Sequence, residues 1–313
     1  TDMMLNKTNK KRFDPDTHYA VAMQAPPAYT HHIKRRYQDI PYARLSFSQM
    51  LDIYLPDAGE GPFPVILSIH GGAFMGCDKA DMQVLPMLAG LARGYAVVAL
   101  NYRLSWEAAF PALVHDVKAA VRWVRANAHW YYLDAQHIAA WGGSAGGYLS
   151  SMLGVSAGIP QLEDLSLGYS DQPCHVQAVV DWYGPTNFLK MDEQLTASGL
   201  APLPGTEHSA ADSPESWLLG AKLAEIPGLV KAANPETYIR PNAAPFLIQH
   251  GTADPVVPVQ QSIGLAEDLK RICGADRVTL ELFEGFEHGD RRFDSPVNVR
   301  RVLDFLDHHL KGI

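Results

Sequence analysis

Cysteine is scarce: Cys77, Cys174 and Cys273 are the only three thiols in 313 residues, an odd number with no C-x-x-C spacing. That excludes a disulfide framework and a cysteine-ligated zinc cluster, and leaves buried or incidental thiols. Positive charge is also short, with 26 lysines and arginines against 34 aspartates and glutamates, for a net charge of −8. No basic face is available to neutralise phosphates, so nucleic acid is set aside as a partner. No apolar run approaches the length of a membrane-spanning helix. Internal repeats and low-complexity tracts are missing too. Behind the start Thr1-Asp2-Met3-Met4-Leu5, with Lys7, Lys10, Lys11 and Arg12, no apolar segment follows that could act as a signal peptide. The chain therefore reads as cytoplasmic, although a leader removed before residue 1 would leave no trace.

What is present is apolar material: 47% of residues are hydrophobic, enough for a sizeable core. The length fits either two ordinary domains or one large α/β domain. Residues 1 to about 35 are polar and aperiodic, with Pro26-Pro27 and His31-His32, and read as an irregular N-terminal arm. Strand-like stretches follow from Tyr37 to Leu55, where the alternation of Gln49 to Leu55 predicts a half-buried antiparallel strand. Pro64 to His70 and Tyr95 to Leu100 are short apolar runs of the kind buried on both faces of a parallel sheet, with a helical stretch from Met82 to Ala92 between them and Gly94 as its stop. Val114, Val117, Val121 and Val124 recur at helical spacing while Asp116, Lys118, Arg122 and Arg125 fall on other faces, which predicts an amphipathic helix. Strands are expected at His137 to Trp141, Val176 to Tyr183, Pro245 to His250 and Val278 to Phe283, with helices near 259 to 272 and 297 to 310. Strand and helix alternate from about residue 63 onward. The fold class is therefore α/β, a mostly parallel sheet with helices on both faces. Residues 36 to 313 form one such domain, interrupted by an insertion over about 186 to 235 that is long enough to be a lid or cap, with a helical piece around Ser216 to Leu223.

The chemistry centres on Gly142-Gly143-Ser144-Ala145-Gly146-Gly147, which follows an apolar strand and precedes a helix. This is the G-x-S-x-G elbow, in which a strained turn projects the serine hydroxyl above the sheet. Neither G-x-G-x-x-G nor G-K-[ST] fits the same glycines, so a phosphate loop is disfavoured. A serine nucleophile needs a base, and the base needs a third group to fix its tautomer. Of thirteen histidines, His288 follows the last strand and precedes the last helix, where an α/β hydrolase places its base. His70 and His250 also end strands, but each precedes a glycine and reads as a structural ring that shapes its loop. His208, like His18, His115, His129, His137 and His175, has no partner motif and reads as surface or packing. Asp254, in a turn after the penultimate strand, completes the chain order Ser144, Asp254, His288; Asp181 is the rival acid. The loop His70-Gly71-Gly72-Ala73-Phe74 lies where the oxyanion donors belong, so the amides of Gly72, Ala73 and Ala145 are the expected hole.

Together these motifs, with Asn101-Tyr102-Arg103-Leu104 and Phe110-Pro111-Ala112, resemble the α/β-hydrolase esterases related to the hormone-sensitive-lipase-like group, from about Tyr37 to the C-terminus. Two positions depart from that group: Ala73 stands where a third glycine is usual, and Gly143 where aspartate is usual. Gly-Gly-Ser-Ala-Gly-Gly, Val176 to Thr186 and the Asp254 to Pro258 turn are closer to a neighbouring branch of bacterial carboxylesterases that includes acetyl-xylan and feruloyl esterase-like proteins. The resemblance implies a serine carboxylesterase acting on small-molecule esters with no metal or organic cofactor, its activity falling as His288 gains a proton at acid pH. Phe74, Trp106, Trp182, Tyr183 and Trp217 are candidate pocket walls, of which Trp182 and Tyr183 lie where the sheet meets the insertion. The insertion mixes Leu195, Leu200, Leu203, Leu218 and Leu219 with Asp192, Glu193 and Glu207, which favours a short acyl chain. Two rivals stay open at this point: a peptidase or amidase of prolyl-oligopeptidase type using the same triad, and a non-catalytic binding protein on the same fold. The sequence also leaves a homo-oligomer open.

Overall fold

The computed structural model describes residues 24–200, 202 and 205–313. Most of the expected N-terminal arm, with His18, and also Leu203 lie outside the described residues. Eight strands form one sheet in the order β1-β2-β4-β3-β5-β6-β7-β8. They are β1 (Arg36–Pro41), β2 (Met50–Tyr54), β3 (Phe63–Ile69), β4 (Ala96–Leu100), β5 (Leu133–Gly143), β6 (Ala178–Trp182), β7 (Phe246–Gly251) and β8 (Val278–Phe283). β2 runs antiparallel to both β1 and β4, and every pairing from β4 through β8 is parallel.

The period-2 geometry of a strand divides β3 between two cores. Val65, Leu67 and Ile69 face one cluster, which contains Val114, Val117, Val121 and Val124 of the helix Ala112–Asn127. Ile66 faces the other, which contains Val299, Val302, Leu303 and Leu306 of the helix Pro296–Lys311. Burial on both faces is why these strands are nearly continuous apolar runs. In chain order the α-helices are α1 (Leu85–Leu88), α2 (Ala112–Asn127), α3 (Ala145–Val155), α4 (Met191–Ala197), α5 (Pro214–Leu219), α6 (Pro227–Ala233), α7 (Gln260–Cys273) and α8 (Pro296–Lys311). The stretch from Met82 to Ala92 is a broken run of 3-10 and α turns around α1, stopped by Gly94 in the left-handed region at φ 81°.

Two local expectations are corrected. β2 is buried on both faces, Asp52 included, because Lys79 reaches that carboxylate at 2.9 Å. The charged residues of α2 are also buried. Asp116 accepts from Gln49 and from the backbone and guanidinium of Arg103. Lys118 donates to the Ser156 carbonyl, Arg122 to those of Asp164 and Gly168, and Arg125 to those of Ala135, Pro173 and His175. The segment between α3 and β6 covers this face, and its carbonyls, with that of Ala135 in β5, receive the long cations.

Among the described residues no helix is long and apolar enough to cross a membrane. Between β6 and β7 the insertion carries α4, α5 and α6 with short 3-10 turns.

Candidate active site

Four loops at the C-terminal edge of the parallel strands meet at one place. β5 ends at Gly143, and Ser144 follows at φ 56°, ψ −120°, a backbone conformation that L residues rarely adopt, before α3 begins at Ala145. The Ser144 N–H donates to the Trp182 carbonyl at 2.8 Å, which fixes the turn against β6. The turn can be this sharp because α3 starts against β3: a Cβ on Gly146 would lie 1.9 Å from the Ile69 carbonyl oxygen.

The structure brings Ser144, His288 and Asp254 into one hydrogen-bonded line. Ser144 Oγ lies 2.9 Å from His288 Nε2, and His288 Nδ1 lies 2.8 Å from Asp254 Oδ2. Because the carboxylate only accepts, His288 carries its proton on Nδ1 and presents a lone pair at Nε2 to the serine hydroxyl. Asp254 is buried at the turn after β7, where Oδ1 accepts the N–H groups of Val256 and Val257 at 2.9 Å. Burial pushes its carboxyl up, but attraction to His288, whose imidazolium form it faces, and the hydrogen bonds from His250 and His288 outweigh burial and hold it well below the usual carboxylate range. The acid turn and the histidine loop are stitched together through Thr252 N–H to the Phe283 carbonyl, Ala253 N–H to that of Phe286, and Gly285 N–H to Thr252 Oγ1. The rival acid stands elsewhere. Asp181 is enclosed under α3, accepting from Ser151 Oγ and the Gly184 N–H, and burial raises it to about 6.

The loop after β3 wraps over the serine with Gly72 at φ 129° and Ala73 at φ 53°. The N–H groups of Gly72, Ala73 and Ala145 make no hydrogen bond to another described residue, so all three donors are unspent beside Ser144. His70, buried and stacked on Tyr102 at 4.6 Å, uses Nδ1 on the Gly71 carbonyl at 2.7 Å, and burial disfavours its charged form. Gln83, which the sequence did not single out, accepts the Gly71 N–H on Oε1 at 2.8 Å and is itself braced by Asp81.

A cavity of about 560 Å³ opens over Ser144 and His288. Trp182 and Tyr183 line it. The indole N–H of Trp182 is spent on Gln249, while the Tyr183 ring meets the His288 ring edge-on at 5.0 Å. Phe74 does not line it: its left-handed backbone (φ 64°) turns the ring into the core against Tyr148 and Phe188. Trp106 is exposed and Trp217 buried, both away from the cavity, and Leu195, Leu218 and Leu219 are core residues. No described residue of 186 to 235 borders the cavity. Its lining instead includes Met82, Pro86 and Met87 together with Arg291 and Asp294. Neither segment carries a chemical motif, and their sequence offers no signal of this role.

Ser144 on its elbow, the His288 imidazole and the buried Asp254 carboxylate thus stand in one line, and the BD-FAE family model matches residues 51–269. The chain belongs to the BD-FAE family. Among its relatives, Esterase LipQ of Mycobacterium tuberculosis is 33% identical over 288 residues, covering 87% of this chain and 63% of that protein. The probable carboxylic ester hydrolase LipM of the same organism is 33% identical over 247 residues, covering 78% of this chain and 54% of that protein. This BD-FAE chain thus spans between about half and two thirds of the length of those curated relatives. Among solved structures, a truncated form of a carbohydrate esterase from gut microbiota superposes with a TM-score of 0.79 at 30% identity, covering 91% of this chain and 99% of that one.

Proposed function

We propose that this chain is a serine carboxylesterase. Ser144 attacks the ester carbonyl while His288 takes its proton and passes it to the departing alcohol; a water activated by the same imidazole then releases the acid from the acyl-enzyme. Asp254 stays ionised, orienting the ring and stabilising its charged form. The observation that carries this reading is the hydrogen-bonded line from Ser144 Oγ through His288 to Asp254, at 2.9 and 2.8 Å. The unspent amides of Gly72, Ala73 and Ala145 support an oxyanion hole. One such donor contributes about 10²- to 10³-fold in rate. The esterase relatives support ester hydrolysis over amide hydrolysis or simple binding.

The apolar lining residues Met82, Pro86 and Met87 suit a short acyl group, and Arg291 and Asp294 give the cavity polar partners for an alcohol. A carbohydrate esterase among the solved relatives supports a sugar alcohol as the first one to try. Residues 36 to 313 are read as one hydrolase domain. The insertion over 186 to 235 acts as a buttress beside the site, since His208 at 2.7 Å from the Val256 carbonyl ties it to the acid turn.

The test is a panel of acetyl, butyryl, feruloyl and long-chain esters beside aminoacyl arylamides, with burst kinetics on an aryl acetate. Short esters should lead, and a burst of one alcohol per active site should precede turnover. Preference for arylamides, or no turnover of any ester, contradicts the reading.

A further inference from the structure

Asp254 receives more donors than an acid partner to one histidine needs. While Oδ1 takes two backbone N–H groups, Oδ2 takes two imidazoles: His288 Nδ1 at 2.8 Å and His250 Nε2 at 3.1 Å. His250 is wholly buried at the end of β7. Its Nε2 also lies 2.8 Å from the Val257 carbonyl, so both neighbours of that nitrogen are acceptors and it carries the proton. On the other side of the ring, Nδ1 lies 2.6 Å from Ser262 Oγ. In the neutral ring this nitrogen is a lone pair, so the Ser262 hydroxyl donates to it and fixes the tautomer.

We propose that His250 is a positioning residue for the reaction: it shares Oδ2 of Asp254 with His288 and so limits how much of the carboxylate's charge reaches the catalytic imidazole. The proposal rests on the triad reading above. An oxygen that accepts a second N–H binds the first less strongly, and His288 then holds a proton on Nε2 less tightly. The free-base form of His288, the form able to take the serine proton, persists to lower pH than with an unshared carboxylate. Ser262 acts one step further out: its hydroxyl adds to the preference, set by Asp254 and the Val257 carbonyl, for the tautomer that donates to Asp254.

The other titratable groups facing these rings are few. His250 faces Asp254, the edge of the Tyr183 ring at 6.4 Å and the field of Asp181; His288 faces Asp254 and Tyr183 at 5.0 Å and shares its cavity with Arg291 and Asp294. Of the two rings on Oδ2, only His250 makes no contact with Ser144.

The experiment is the pH dependence of kcat/KM for an aryl acetate with wild type, His250→Ala, His250→Gln and Ser262→Ala, repeated in an Asp181→Asn background to remove the other group able to titrate in that range. In His250→Ala the acid limb should move to higher pH by about half a unit or more, with kcat lower by several-fold and KM within about twofold. His250→Gln, whose amide N–H reaches toward the same oxygen, should return the limb to its wild-type position, and Ser262→Ala should shift it less in the same direction. If His250→Ala does not fold, His250→Phe fills the ring volume without a donor and replaces it. An acid limb that stays at the wild-type position in a folded donor-less variant, with only thermal stability reduced, overturns the proposal. Activity surviving in Ser144→Ala or His288→Ala in the same assay overturns the triad reading instead, so the two failures are told apart.

Discussion

Tyr183 lies over Gly143, so close that a Cβ built on that glycine would come within 2.9 Å of the phenol oxygen and 3.0 Å of the ring. The ring also packs on Phe293 at 4.8 Å and is buried, which leaves it little room to withdraw. The glycine beside Ser144 and the aromatic residue after β6 are therefore one choice made at two positions. Gly143→Ala should lower both thermal stability and kcat/KM, by about 1–3 kcal/mol in stability. Tyr183→Ala should remove most of that penalty, so a four-protein cycle should show strong non-additivity. Additive effects would mean that the contact does not constrain the site.

Gln83 accepts the Gly71 N–H and so ties down the loop proposed to hold the oxyanion. Gln83→Ala leaves that amide without its acceptor beside the donors that matter. The expected outcome is a fall in kcat of about tenfold with a smaller change in KM, because the lost positioning acts on charge that develops in the transition state. Steady-state kinetics on a short ester checks it, and an unchanged kcat would remove Gln83 from the loop's support.

How much of this was legible beforehand follows from where the information resides. The strands of the parallel core are continuous apolar runs, and Val278 to Phe283 is the range of β8. Ser144, Asp254 and His288 could be named because turn chemistry and chain order are local facts. The cavity walls could not, since Met82, Pro86, Arg291 and Asp294 meet only after the sheet has assembled. Phe74 was a candidate pocket wall from its place beside Gly72 and Ala73, and a positive φ turned it inward. The charged residues of α2 could be placed on faces away from its valines, but nothing in the segment after α3 signals that it will lie across them.

His208 illustrates the same limit and carries a pH prediction. A histidine with no motif, it donates Nδ1–H to Glu215 at 2.9 Å and Nε2–H to the Val256 carbonyl at 2.7 Å. Burial opposes its charge, but the Glu215 carboxylate and the carbonyl outweigh burial and raise it to about 9. A histidine raised in the folded state stabilises fully below its unfolded value of about 6.5, and that contribution fades as pH rises through about 9. Denaturant unfolding of wild type and His208→Gln should therefore differ by about 3 kcal/mol at pH 6 and converge by about pH 10. A gap independent of pH would contradict the ion pair.

Asp116 is the buried hub of the α2 face, taking Gln49 at 2.8 Å and the Arg103 guanidinium at 2.8 Å. Asp116→Ala strands the buried end of Arg103 and should cost about 3–5 kcal/mol in chemical denaturation. A loss under about 1 kcal/mol, the range of an exposed pair, would show that the cluster is solvated in solution.

The central claim is that Ser144 is the nucleophile of an ester hydrolase. The direct measurement is labelling of the protein by a fluorophosphonate, mapped by peptide mass spectrometry beside the hydrolysis of an aryl acetate. The account predicts a single adduct on Ser144 that abolishes turnover, and neither adduct nor turnover in Ser144→Ala. A labelled residue other than Ser144, or full turnover by Ser144→Ala, would contradict it.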